Sequence, residues 1–227
     1  MIESVLMAGV VDTASILASW PPMQEFYLSG GTALALQQGH RQSRDLDFFT
    51  QRPLSTLPDL PGMDGMLKSF AQVEWTQKSP DQIHWRLDGV SVTLLAYPFS
   101  HDFGFRAWRG LAVADVHDIA VQKAYTVGRR ANARDYIDLH AVLTAGVVSL
   151  DALIGRAQNA YGEAFSPRLF LQQLTYTRDL PDRDDAIGLL IEPESFDVIA
   201  QDLQTMVRDW VEQYAQVHPR PRGGRRP

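Results

Sequence analysis

The sequence has no cysteine, which excludes disulfide crosslinks, thiolate metal ligands and a cysteine nucleophile. Any metal has to be held by oxygen or imidazole. It also has no excess of positive charge: 21 Lys and Arg stand against 27 Asp and Glu, for a formal net charge of −6. Chain-wide attraction to nucleic acid is therefore excluded, and contact with a polyanion has to be local. No apolar run reaches membrane-spanning length. The N-terminal stretch MIESVLMAGVVDTASILASW carries Glu3 and Asp12 without a basic lead-in, so it does not read as a signal peptide, and a cytoplasmic address is expected. What is present is a chain of 227 residues with 45% hydrophobic and 21% charged positions. That suffices for one α/β domain with a helical extension, or for two small domains sharing an interface.

The most informative stretch runs from Phe26 to Thr50. Phe26, Tyr27 and Leu28 form a short apolar run, Ser29, Gly30, Gly31 and Thr32 are small, and ALALQQ has good helix propensity. The pattern predicts strand, tight turn, helix. Glycines at such a turn let backbone amides approach a ligand, and the helix start favours negative charge, so a phosphate suits the spot. Gly39 reads as the helix stop, residues 40–44 as a polar basic loop, and Asp45-Leu46-Asp47-Phe48-Phe49 as a strand. Alternation puts Asp45 and Asp47 on one side, with Leu46 and Phe48 opposite. Two carboxylates so placed repel each other unless a cation joins them. Mg²⁺ is the first candidate, because it takes hard oxygen ligands and borrows others from substrate phosphates. The spacing alone equally suits a solvated face of an edge strand. The glycine turn beside it points instead to phosphoryl or nucleotidyl transfer, where catalysis is mostly positioning and charge neutralisation.

Elsewhere, residues 2–19 read as an amphipathic helix ended by Pro21-Pro22. Residues 51–64, with Pro53, Pro58, Pro61 and Gly62, read as a loop holding at most a short helix before Met66 to Phe70. Val73–Thr76, Ile83–Leu87 and Val90–Tyr97 read as strands, the last two joined by an Asp88-Gly89 hairpin turn, which predicts a mixed or antiparallel sheet of about four or five strands. Residues 98–110 read as an aromatic loop in which His101 and Asp102 are loop features. Asp115 and Asp118 suit the cap and first turn of a helix. Lys123 sits among Ile119, Ala120, Ala124 and Tyr125, so its stem lies along apolar surface with the ammonium within reach of a phosphate. After a basic turn over Gly128 to Asn132, a helix from Arg134 to Leu143 carries Asp135 and Asp138 on one face, and Arg134 can pair with Asp138 at i, i+4. Helices over 150–160, 167–174 and 195–217 follow as a buttress. The tail HPRPRGGRRP has four arginines and no acid, and it reads as disordered over 219–227.

The phrase LSGGTALALQQGHRQSRDLDFF resembles the opening motif of the AbiEii/AbiGii toxin family, a nucleotidyltransferase branch of the DNA polymerase β-type superfamily. The resemblance implies an α+β, polymerase β-like nucleotidyltransferase fold, with an α/β domain over 1–114 and a helical part over 115–218 that completes the site. It implies a nucleotide and metal site at Gly30, Gly31, Asp45 and Asp47, with Thr32, Arg41 and Ser43 matching the pattern around it. Asp118, Lys123 and Arg134-Asp135-x-x-Asp138-Leu139 are similar to the later motifs of the family. By that likeness Lys123 contacts phosphate, while Asp135 or Asp138 orients the lysine or serves as a base. The implied activity is transfer of a nucleotidyl group from an NTP, dependent on Mg²⁺ or Mn²⁺, to an acceptor such as tRNA or another RNA. The implied setting is a toxin–antitoxin or phage-defence system with a cognate antitoxin protein. Many polymerase β-type enzymes place a third acid on the strand beside Asp-x-Asp, whereas VSVTLLAYPF offers Ser91 and Thr93. A second reading is therefore a degenerate domain that binds nucleotide or a partner protein without chemistry. A third is a hydrolase using His40 or His101 with a metal.

Overall fold

The computed structural model describes residues 1–52 and 60–217. The chain opens with a 3-10 turn at Glu3–Val5 and a short helix α1 at Val10–Ala18, in place of the continuous helix expected over 2–19. The interruption is Gly9, whose φ of +83° is left-handed backbone that no right-handed helix can run through. β1 (Tyr27–Ser29) leads straight into α2 (Gly30–Gln38), which stops at Gly39 in the left-handed conformation the sequence suggests. β2 (Leu46–Thr50) returns antiparallel to β1 and pairs Asp47 with Ser29. Leu46 and Phe48 are fully buried, while Asp47 faces the other side of the sheet. A one-residue slip would exchange them. It would expose two side chains worth roughly 2 kcal/mol each and bury a carboxylate in the core, so the register that aims the acidic face is strongly fixed.

A short helix α3 (Met63–Leu67) precedes the meander β3 (Val73–Lys78), β4 (Gln82–Leu87) and β5 (Val90–Ala96). Part of the loop expected over 51–64 lies outside the described residues. At the turn between β4 and β5, Asp88 and Gly89 have φ of +45° and +85°, the pair of positive values a type I′ hairpin requires. The region read as a loop over 98–110 instead contains β6 (Phe105–Trp108), which pairs with β7 (Leu111–Ala114). Arg109 and Gly110 join them with φ of +48° and +81°. The turn has the same geometry as Asp88-Gly89, but an arginine stands where Asn or Asp would announce it. These two strands raise the sheet to seven, in the order β3-β4-β5-β2-β1-β7-β6. The β1/β7 and β2/β5 pairs are parallel and the others antiparallel.

The helices that follow among the described residues are α4 (Val116–Thr126), α5 (Ala133–Thr144), α6 (Leu150–Tyr161), α7 (Pro167–Thr175), α8 (Arg183–Ile187) and α9 (Phe196–Val217). α8 is not foreseen by the sequence. Asp115 caps α4 and Asn132 caps α5, each accepting a hydrogen bond from a backbone N–H two residues on. Asp118 does more than sit in a first turn, since its carboxylate accepts the backbone N–H groups of Asp102 at 2.8 Å and Phe103 at 3.0 Å. One cluster of buried side chains runs from Val10 to Val207 and joins the sheet to the helices. α2, α4 and α5 pack on one another, which brings Gly30, Lys123 and Asp135 to the Asp47 end of β2. Among the described residues no helix is long and apolar enough to cross a membrane. The basic tail lies outside the described residues.

Candidate active site

Gly30 and Gly31 open α2 directly against the acidic strand. Gly30 has a φ of +66°, and a Cβ added there would stand 2.9 Å from Asp47 Oδ2. A Cβ on Gly31 would overlap the Arg41 guanidinium. The double glycine thus makes room for two charged side chains. It also leaves Gly31 as part of the wall of a cavity of about 210 Å³, shared with Thr32, Asp45, Asp47, Lys123 and Asp135.

Asp45 and Asp47 both line this cavity, although β2 begins only at Leu46 and Asp45 stands just before it rather than in the strand expected from residue 45. Burial pushes the Asp47 carboxyl above the ordinary carboxylate range; a hydrogen bond with Thr93 opposes the shift and the neighbouring Asp45 reinforces it. Thr93 is the β5 residue paired with Asp47 across the ladder. Ser91 and Thr93, on the strand beside β2, both line the cavity. Two hard carboxylates, one carrying a charge that burial disfavours, fit a small divalent cation that completes its shell from triphosphate oxygens and water. Among the described residues, no group of three or more His, Asp or Glu side chains is placed to hold a metal.

The basic side of the cavity is a buried ion network. Lys123 Nζ lies 2.7 Å from Asp135 Oδ1 and 2.7 Å from Asp138 Oδ2. Asp138 is fully buried and also accepts Arg41 Nε at 2.6 Å, Arg41 Nη2 at 3.0 Å and His40 Nε2 at 2.8 Å. Asp135 accepts Arg130 Nε at 2.7 Å and Nη2 at 2.9 Å. Burial works against both carboxylates, but it is outweighed. Lys123 and Arg130 hold Asp135 below the ordinary range, and Arg41 and Lys123 hold Asp138 well below it.

This geometry locates the remaining expected site residues. Arg41 lines the cavity yet is 2% exposed and committed to Asp138 and the Gln42 carbonyl. Thr32 Oγ1 stands 2.7 Å from Ser43 Oγ and donates to the Asp45 carbonyl, so these two hydroxyls anchor the entry to β2. The Arg134–Asp138 pair at i, i+4 is not made, because Asp138 points inward to Arg41 and Lys123, while Arg134 turns to the cavity and meets Asp45 Oδ2 at 3.2 Å. His40 is occupied by Asp138, and His101 stacks on Tyr27 with ring centroids 5.1 Å apart. His84, Arg130 and Asn132 also line the cavity, and the sequence alone does not mark them as site residues. The signal for Arg130 was present in the basic turn, but nothing in the sequence tied that turn to Asp135.

The family model described as nucleotidyl transferase AbiEii toxin, type IV TA system, matches residues 17–216, a span containing both the acidic strand and the ion network. An uncharacterized protein of Aquifex aeolicus (strain VF5) is 32% identical over 119 residues, which is 51% of this chain. The match spans 56% of that relative's length. Two Helicobacter pylori crystal structures, a proposed nucleotidyltransferase and JHP933, have TM-scores of 0.54 and 0.53, each at 17% identity. Both alignments cover 93% of this chain, with 99% and 97% of the respective structures, and at that identity they speak for the fold. The match over residues 17–216 places the chain in the AbiEii toxin family of nucleotidyl transferases, of type IV toxin–antitoxin systems.

Proposed function

We propose that this protein transfers a nucleotidyl group from an NTP to an acceptor hydroxyl, the hydroxyl oxygen bonding to the α-phosphate as pyrophosphate leaves and the hydroxyl proton passes to solvent, with Asp45 and Asp47 holding Mg²⁺ or Mn²⁺. The observation that carries the proposal is the meeting of Asp45, Asp47, Gly31 and Lys123 in one cavity, although they come from the loop before β2, from β2, from α2 and from α4. The start of α2 offers backbone amides and a favourable dipole to phosphate oxygens. Lys123 and Arg130 face the same space and offset the charge of a triphosphate. The metal, when bound, adds charge neutralisation at the reacting phosphate. Asp135 and Asp138 position Lys123, and because their cationic partners hold both carboxyls below the ordinary range they are weak proton acceptors, so neither is assigned as the base. Arg41, Thr32 and Ser43 act one step back, fixing Asp138 and the entry to β2.

The acceptor in this reading is an RNA such as tRNA, approached through local basic groups, because the net charge is −6. The family further suggests a cytoplasmic toxin with a cognate antitoxin and a role in phage defence. Incubation with labelled NTPs, Mg²⁺ and total RNA tests the activity. Label on RNA that disappears in Asp45→Ala and Asp47→Ala supports it. Thr93 in the place of a third acid favours a second reading, a domain that binds nucleotide without transferring it. Tight NTP binding with no labelled acceptor of any kind would select that reading.

A further inference from the structure

Four cations line the cavity, and they are held with unequal force. Arg41 is buried and bidentate on Asp138, Lys123 sits between Asp135 and Asp138, and Arg130 makes two bonds to Asp135. The Arg134 side chain has one ion pair, from Nη1 to Asp45 Oδ2 at 3.2 Å, and a long contact of 3.4 Å from Nε to Asn132 Oδ1. Arg134 and Asp45 are 32% and 31% exposed, so water screens the pair and it contributes little to stability. The backbone beneath is firm, because Arg134 N–H donates to the Asn132 cap of α5 at 3.0 Å. Arg134 is thus a loosely held charge on a fixed base, aimed at one of the two acidic groups of the strand.

We propose that Arg134 is an exchangeable counter-ion, neutralising Asp45 until a divalent metal takes that carboxylate and then turning its guanidinium to the triphosphate. This rests on the nucleotidyl transfer reading. Asp45 Oδ2 cannot serve both cations at once, since a dication on that oxygen repels a guanidinium 3.2 Å away. The planar fork of arginine then finds phosphate oxygens that match it. Arg41 and Lys123 cannot make this exchange, because releasing either would leave part of the charge of a buried aspartate unmatched. Arg134 therefore opposes metal alone and favours metal together with triphosphate, which biases the site toward the metal–nucleotide complex.

The test is Mn²⁺ binding to nucleotide-free protein, read by electron paramagnetic resonance, in wild type, R134Q, R134K and D45N. Binding of inorganic tripolyphosphate at saturating Mn²⁺ is measured in parallel by calorimetry. R134Q is expected to bind Mn²⁺ about threefold to fivefold tighter than wild type, yet tripolyphosphate roughly tenfold weaker. R134K, which keeps the charge, should bind Mn²⁺ like wild type, and all variants should melt close to it. Mn²⁺ binding by R134Q that is unchanged or weaker overturns the inference, as does unchanged tripolyphosphate binding. D45N separates this from the underlying reading: it should lose Mn²⁺ binding. If wild type binds no Mn²⁺, or D45N binds it as well as wild type, the metal assignment itself fails and the inference with it.

Discussion

Asp138 Oδ2 lies 2.7 Å from Lys123 Nζ, with the aspartate fully buried and the lysine side chain 7% exposed. Such a pair is poor evidence of net stability, since desolvation offsets most of its attraction, but breaking it strands a charge. Asp138→Asn should leave Arg41 and Lys123 without their shared counter-charge and cost about 3–5 kcal/mol in chemical denaturation at neutral pH. A loss of less than about 1 kcal/mol would show that the network is wetter or looser than its geometry.

The two kinds of aspartate predict opposite responses to pH. Asp135 and Asp138 have folded values depressed below the ordinary range, so their contribution is present above the unfolded value near 4 and is lost as pH falls through the folded values. Asp47 has a raised folded value, so what it contributes is present below the unfolded value and lost as pH rises through the folded one. Asp47→Asn should therefore raise the melting temperature at pH 7 and leave it little changed near pH 3. It should also reduce transfer on the order of 100-fold or more. Melting curves across pH 3 to pH 8 check the sign, and a variant less stable than wild type at pH 7 contradicts it.

Much of this centre was legible in the sequence. Strand, glycine turn, helix and Asp-x-Asp strand could be read because each is local, and the alternation of Leu46 and Phe48 with the two aspartates fixes the acidic face. The network was only half legible. Lys123, Asp135 and Asp138 announced themselves as charges near apolar neighbours, but Arg41 is 97 positions from Asp138, and no local pattern records such a partner. The Arg109-Gly110 hairpin was hidden for a different reason, since the turn type depends on φ and arginine does not advertise a positive value. α8 is five residues long, too short for periodicity to show.

The glycine turn has its own prediction. Gly31→Ala forces a methyl group into the Arg41 guanidinium, which is locked on Asp138 and cannot swing away. Overpacking of this kind should cost about 1–3 kcal/mol, measured by urea denaturation. Gly65→Ala meets nothing within 4 Å and serves as the control. Equal stability of the two variants would mean that Arg41 is not held where it stands.

The face bearing Asp45 and Asp47 is proposed to receive a metal and a triphosphate between α2 and Lys123. Crystals grown with Mn²⁺ and a non-hydrolysable NTP analogue test it most directly through anomalous scattering. The expected result is a Mn²⁺ peak at the carboxylates of Asp45 and Asp47, with triphosphate density in the cavity they share with Gly31 and Lys123. Ordered nucleotide elsewhere on the protein, with no peak at those two carboxylates, would contradict it.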